Sequence, residues 1–300
     1  MIWEKRWFQY TILMVIAIIW GSSFILMKIG LKSFNSNQAA AIRIFLASLV
    51  LLPYSIKNLK NLQRKDLPAL LVAGFIGSFF PAFLFTKAQT RIDSSMAGML
   101  NSLTPVFTLL VGLIFLKIKF KWLQIVGLIM GLGGALGLIL SGNNVNHGSF
   151  NAYALLIVLA TTFYAVNVNQ IKTNLSHLTG VQITSLSFLF IGPVALGYLV
   201  TTDLSAAIQT PDWIWSFSAL ALLGIVGTAL AMILMNSLIR YASAIFASSV
   251  TYIIPIFAIF WGVLDGEKFT LLHFTCMFII LLGVYLTNRK VKTKSGDIVL

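Results

Sequence analysis

The chain has 300 residues, of which 58% are hydrophobic and only 10% charged, and its mean hydropathy is +0.93. Soluble domains carry roughly 25% charged residues, so the composition excludes a soluble enzyme and indicates an integral membrane protein. The formal charge of +13 does not point to nucleic acid, because Lys and Arg sit in short loops between apolar runs, where membrane topology places them.

Ten apolar segments follow one another, at about 10–30, 38–55, 67–87, 95–116, 122–140, 150–171, 182–200, 214–235, 244–264 and 271–287. Each is close to the ~20 residues that cross a bilayer, and no loop between them could fold alone. The first run follows Lys5 and Arg6 without a convincing small-residue cleavage site, so it is expected to remain as the first helix. The single cysteine, Cys276, lies in an apolar run and reads as packing.

Basic residues set the expected orientation. Lys5 and Arg6, then Lys57, Lys60, Arg64 and Lys65, then Lys117, Lys119 and Lys121 fall on one side. Lys172, Arg240, Arg289, Lys290, Lys292 and Lys294 join them. The other side holds Lys28, Lys32, Lys87, Arg91 and Lys268, and its loops at 141–149 and 201–212 contain no Lys or Arg. Both termini are therefore expected in the cytoplasm.

The chain repeats itself. A spacing of 150 carries Gly74, Gly77, Ala97, Pro105, Phe107, Gly112 and Gly133 onto Gly224, Gly227, Ala247, Pro255, Phe257, Gly262 and Gly283. A spacing of 144 carries the first helix of one copy onto that of the other, matching Trp20-Gly21-Ser22-Ser23 with Tyr164-Ala165-Val166-Asn167 and Lys28 with Lys172. Five spans per copy is an odd number, so the second copy enters the membrane from the opposite side. The expected fold is all-α, with ten transmembrane helices as two inverted five-helix repeats at 1–141 and 150–288, and a basic tail at 289–300. Inverted repeats suit secondary transporters, which bind substrate near the midplane between the halves. A duplication kept only for packing is the alternative.

Several residues could carry chemistry. Proline gives no N–H to the carbonyl four residues back, which belongs to Asn101 for Pro105 and to Thr251 for Pro255. In each copy this break exposes a carbonyl beside polar side chains, Asn101 and Ser102 or Thr251 and Tyr252. They form either a substrate surface or a local repair of the helix. Trp20 and Tyr164, beside Ser23 and Asn167, line a cavity or pack as core. Lys28 and Lys172 are expected to snorkel to opposite surfaces. Arg43 lies inside an apolar helix, where an ionised side chain costs at least about 2.5 kcal/mol. It reads as the partner of an anionic substrate group such as a carboxylate, or as a helix-end residue bound to loop carbonyls or Asp93. Asp265 and Glu267 read as caps that orient the loop before the last helix, with proton coupling as the alternative. His147, His177 and His273 have no metal-ligand spacing, and no phosphate-binding loop is present. No catalytic residue and no cofactor are expected.

The run Leu238-Ile-Arg-Tyr-Ala-Ser-Ala244, with Pro255 and then Gly266-Glu267 after it, resembles the EamA domain of the drug/metabolite transporter superfamily. Ile18-Ile-Trp-Gly-Ser-Ser-Phe24 and Ala39-Ala-Ala-Ile-Arg-Ile-Phe-Leu-Ala47 resemble its first two helices. The resemblance spans about 10–287 as two such units. It implies a carrier of amino acids, purines, amines, drugs or other small metabolites, often outward and often driven by protons. Trp20, Gly21, Arg43, Pro105, Pro255 and Glu267 match its motif positions. The first copy departs from it, with Leu116-Lys117 in place of the Gly-Glu pair.

The expectation is therefore a multi-pass inner-membrane carrier, exporting a small metabolite by alternating access. Trp20, Ser23, Arg43, Asn101, Tyr164, Asn167, Thr251 and Tyr252 would bind substrate, and Pro105, Pro255 and Glu267 would act at helix breaks and gates. Its partners are the substrate and the bilayer; protons as coupling ion and a homodimer stay open. A lipid flippase and a non-transporting scaffold are the rival readings.

Overall fold

A computed structural model describes residues 2–116, 122–140, 152–242 and 244–288. Lys117, the loop at 141–149, Ser243 and the basic tail lie outside these residues. The described residues are helical, with no strand among them. Among the described residues, nine helices are long and apolar enough to cross a membrane: α1 (Arg6–Gly30), α2 (Ser36–Asn58), α3 (Arg64–Ala88), α4 (Ser94–Leu113), α5 (Trp122–Leu140), α6 (Ala152–Asn174), α7 (Gly180–Thr201), α8 (Trp213–Tyr241) and α9 (Phe246–Leu264). A tenth, shorter apolar helix, α10, spans Leu271–Asn288.

Large side chains such as Leu49, Leu136, Val200, Ile214 and Phe278 point outward, where lipid replaces water as solvent. Lipid gives helices no hydrophobic reason to associate, so small residues and hydrogen bonds must join them. The α5–α10 pair uses small residues. A Cβ placed on Gly283 would lie 2.5 Å from the Gly131 nitrogen and 2.6 Å from the Gly127 oxygen, so the two backbones touch. Hydroxyls join α2 to α7, where Ser48 donates to the Phe188 carbonyl (2.9 Å) and Ser55 to that of Ser185 (2.7 Å).

The repeat seen in the sequence governs local structure as well. α2 starts with a capping box in which Asn35 and Gln38 exchange side-chain and backbone hydrogen bonds; α7 starts with the same device, Thr179 and Gln182, 144 residues later. α3 contains a π-helical turn at Phe75–Phe79 and α8 one at Ile225–Leu230. Such turns disrupt the regular ladder and free carbonyl groups. α4 and α9 are each interrupted, after Asn101 and at Ser249–Tyr252.

The halves interlock. α1 packs on α8 and α9, and its counterpart α6 packs on α3 and α4. α2–α7, α4–α9 and α5–α10 pair each helix with its own counterpart. α4 is the most enclosed, with 89% of its most apolar window buried against 33–50% in the other eight spans.

The prolines behave differently from the sequence expectation. Pro105 and Pro255 stand in the first turn of the helices Thr104–Leu116 and Ile254–Leu264, where a missing N–H costs nothing. The freed carbonyls are already occupied. Thr104 Oγ1 donates to the Asn101 oxygen and Ser102 Oγ, from the other half, donates to the Thr251 oxygen, each at 2.8 Å. The backbone at the breaks is therefore no open binding surface; the side chains are what remain.

Candidate functional site

A cavity with an empty volume of about 730 Å³, measured out to its mouth, lies between α1–α4 of the first half and α6, α8 and α9 of the second. Seven of the eight expected substrate residues line it: Trp20, Ser23, Arg43, Asn101, Tyr164, Asn167 and Thr251. Tyr252 does not. The tight turn at Ser249–Tyr252 aims Thr251 inward, while the Tyr252 hydroxyl donates to the Val284 carbonyl of α10 at 3.2 Å.

The π-helical turn of α8 positions two of these side chains. Trp20 Nε1 donates to the Gly227 carbonyl at 3.0 Å. Arg43 Nε donates to Thr228 Oγ1 at 2.6 Å, and that hydroxyl itself donates to the Leu223 carbonyl at 3.0 Å. Its partner is therefore a threonine of the α8 π-helical turn, not loop carbonyls or Asp93. Among the described residues no carboxylate lies within ion-pairing distance of Arg43. Among the described residues, the guanidinium is the only Lys or Arg side chain on the cavity wall.

The pseudo-equivalent positions on the other half are neutral. The backbone of Arg43 packs on Gly224, and that of Ser187 packs on Gly74 in the same way. Ser187 Oγ and Ser78 Oγ, at the positions matching Arg43 and Thr228, are buried without a hydrogen-bond partner. Gly77 has no side chain because the Asn167 amide fills the space a Cβ would take. The cavity is thus built by near-symmetric elements around one asymmetric charge.

Two further groups await partners. Asn101 Oδ1 and Asn236 Oδ1 are buried acceptors without donors, both on residues that line the cavity. Native proteins leave few buried polar atoms unpaired, and each one needs a reason. The remaining wall is apolar: Phe85 stacks on Tyr164 (centroids 5.9 Å apart, planes at 24°), and Phe24 lies against Phe85. Asn236 went unnoticed in the sequence reading. Its signal was present, since Met232, Met235, Asn236 and Ile239 recur at i, i+3, i+4 and i+7 and form one face of α8.

Glu267 lies away from the cavity, in a charged knot at one end of the bundle. Gly266, at φ 81°, turns the chain so that the Glu267 carboxylate accepts from the Ser94 (2.9 Å) and Ser95 (3.1 Å) backbone N–H groups. It therefore caps the first turn of α4 and ties its own loop to that helix. Lys28 pairs with Asp265 at 2.6 Å and with Glu267 at 3.1 Å. Lys172 donates to the carbonyls of Ile239 (3.0 Å), Arg240 (3.2 Å) and Ala242 (2.6 Å). Both lysines lie partly exposed at opposite ends of the bundle and also bind protein groups there. The contrast with Lys117 lies outside the described residues.

The EamA-like transporter family matches this chain twice, at residues 7–140 and 151–289. The chain belongs to that family. A relative from Escherichia coli (strain K12), named uncharacterized inner membrane transporter YedA, is 26% identical over 92% of this chain and 89% of its own length. The uncharacterized transporter YetK of Bacillus subtilis (strain 168) is 25% identical over 96% of this chain and 89% of its own. A protein of Streptantibioticus cattleyicolor, named a probable terminal-alkyne amino-acid exporter, is 23% identical over 57% of each chain. A solved crystal structure superposes with a TM-score of 0.67 at 13% identity, covering 95% of this chain and 97% of that one, which shows a shared fold. The EamA two-repeat architecture and the apolar helices make this a multi-pass membrane protein of a transporter family.

Proposed function

We propose that this EamA protein is a secondary transporter, an exporter of a small metabolite that carries a carboxylate and a hydrogen-bond donor, with an amino acid as the first candidate. The observation that carries this reading is Arg43, held by Thr228 at the wall of a membrane-embedded cavity with no carboxylate among the described residues to balance it. An ionised side chain at membrane depth is costly, and a substrate carboxylate offsets that cost with paired, charge-assisted hydrogen bonds. The unpaired oxygens of Asn101 and Asn236 suit donors such as an ammonium group, and the Phe24–Phe85–Tyr164 wall suits an apolar portion. The relative named as an amino-acid exporter agrees with this class.

In this reading the helices cross the membrane ten times as two inverted repeats, with both termini cytoplasmic, and the halves rock about the cavity. The swapped packing of matched helices and the clustering of basic loops at one end support it. Protons are the proposed coupling ion.

The test is counterflow in proteoliposomes preloaded in turn with pools of amino acids, purines and amines, with and without a pH gradient. Saturable exchange with the amino-acid pool, lost in Arg43→Ala while the protein remains inserted, is the expected result. Unchanged exchange in a folded Arg43→Ala variant removes Arg43 from the site. No exchange with any pool argues against transport of these solutes, and lipid scrambling is then measured.

A further inference from the structure

A second cavity lies between the start of α3 and the end of α6, at the bundle end that carries Lys65, Arg64 and the other basic loops. Its empty volume, including its open mouth, is about 920 Å³, and its wall is mainly polar. His177 Nε2 meets the buried carboxylate Asp66 Oδ2 at 3.2 Å at this wall. Gln170 lines it as well, and Gln170 Nε2 donates to Asn167 Oδ1 at 3.2 Å and to the Ala69 carbonyl at 3.1 Å. Asn167 belongs to the central cavity. The Gln170 amide therefore links the linings of the two spaces, and its own Oε1 is buried without a partner.

The matching interface at the opposite end is built differently. The 144 and 150 spacings place Leu26 where Gln170 stands, Ile29 at Thr173, Ser33 at His177 and Ser216 at Asp66. There the end of α1 and the start of α8 are sewn together. Ser216 Oγ donates to the Ile29 carbonyl (2.9 Å), Ser33 Oγ to Ser216 Oγ (3.0 Å) and Thr210 Oγ1 to Ser33 Oγ (2.7 Å). Gly30 is in contact with the Leu220 side chain, leaving no room for a Cβ. The Lys28–Glu267 knot closes the same end.

We propose that the second cavity is the aqueous path between the basic end and the central cavity, and that the Gln170 amide is its gate. In this conformation the path leads to the basic end, and the apolar, hydrogen-bonded counterpart at Leu26 and Ser216 is shut. An amide suits this task, because it can exchange its two protein acceptors for water or a polar solute at little cost. That the solute is the transported metabolite rests on the reading above; the path itself does not.

Thiol labelling separates the two. Ser23→Cys reports from the central cavity, and the protein without it is the blank, since the single native cysteine, Cys276, is buried. Arg64→Cys, at an exposed position, marks the basic end in membrane vesicles of either orientation. An anionic, membrane-impermeant methanethiosulfonate is the probe. Labelling of Ser23→Cys is expected from the basic end, about tenfold faster in Gln170→Ala, which removes the two hydrogen bonds that hold the gate. Val72→Trp, which fills the second cavity and leaves Gln170 intact, is expected to bring labelling to the blank level; Leu26→Ala at the counterpart is expected to leave labelling from the basic end unchanged. Equal labelling from both ends, or rates indifferent to Gln170→Ala and Val72→Trp, overturns the proposal. So does a Ser23→Cys thiol that reacts only after unfolding. A carrier that fails every counterflow assay but labels as described keeps the path and loses the transport reading.

Discussion

Arg43 shows how one residue can be legible in kind and illegible in role. A charge within an apolar helix demands a partner, so the sequence alone marks it. Its partner is Thr228, 185 residues away and presented by a π-helical turn, and no local pattern links the two. The geometry makes a prediction distinct from the loss expected in Arg43→Ala. Thr228→Val keeps the charge but removes the hydrogen bond that aims it, a bond worth about 1.5–3 kcal/mol when one partner is charged. The half-saturation concentration in counterflow is therefore expected to rise roughly tenfold or more, with membrane insertion unchanged. Asn236 presents the opposite case: a polar residue in an apolar helix, unremarkable until its unpaired oxygen is found on the same cavity wall as that of Asn101.

Within the elements, energetics depend on close backbone approach and on caps. The α5–α10 contact requires glycine, because the Gly283 backbone meets that of Gly127 and Gly131 directly. Gly283→Val is expected to force these helices apart and to destabilise the protein by about 1–3 kcal/mol, the usual cost of overpacking. A lower melting temperature in detergent is the readout. Glu267 acts on a different element from its own. It joins the turn after α9 to the first turn of α4 through two backbone N–H groups and Lys28. Glu267→Ala leaves those donors buried without an acceptor and is expected to cost about 2 kcal/mol, whereas Asp203→Ala, in an exposed turn where water replaces the two hydrogen bonds its carboxylate accepts from Ser205, is expected to lower the melting temperature less. Sequence reading recognised Glu267 as a cap. It could not tell which helix was capped, because the capped serines precede it by more than 170 residues.

Across the whole molecule, the two halves cover each other's small-residue faces: α1 lies on α8 and α9, α6 on α3 and α4. Neither half buries its polar inner surface alone. Residues 1–141 and 150–288 expressed separately are expected to be degraded or protease-sensitive in the membrane, and co-expression is expected to restore a protease-resistant complex. A half that resists protease by itself would contradict the interlocked packing. Reporters fused at the two termini test the orientation. Both are expected to register a cytoplasmic location, as the crowding of Lys and Arg on one set of loops requires.

Composition, repeat and charge pattern were sufficient for the membrane class and the two-copy plan, since each depends on residue types summed over long segments or on fixed spacings along the chain; the family was legible only through the resemblance of short motifs such as Ile18–Phe24 and Leu238–Ala244. Seven of eight side chains chosen as cavity residues lie on one cavity because polar groups in apolar helices have few other stable places. Contacts between distant segments had to come from the tertiary structure. The π-helical turns, the freed carbonyls already taken by Thr104 and Ser102, and the outward course of Tyr252 all depend on how separate helices meet. The same holds for the difference between the two ends. The sequence puts Gln170 opposite Leu26, but only packing makes one an open polar space and the other a closed seam, because closure depends on which neighbours fill the gap.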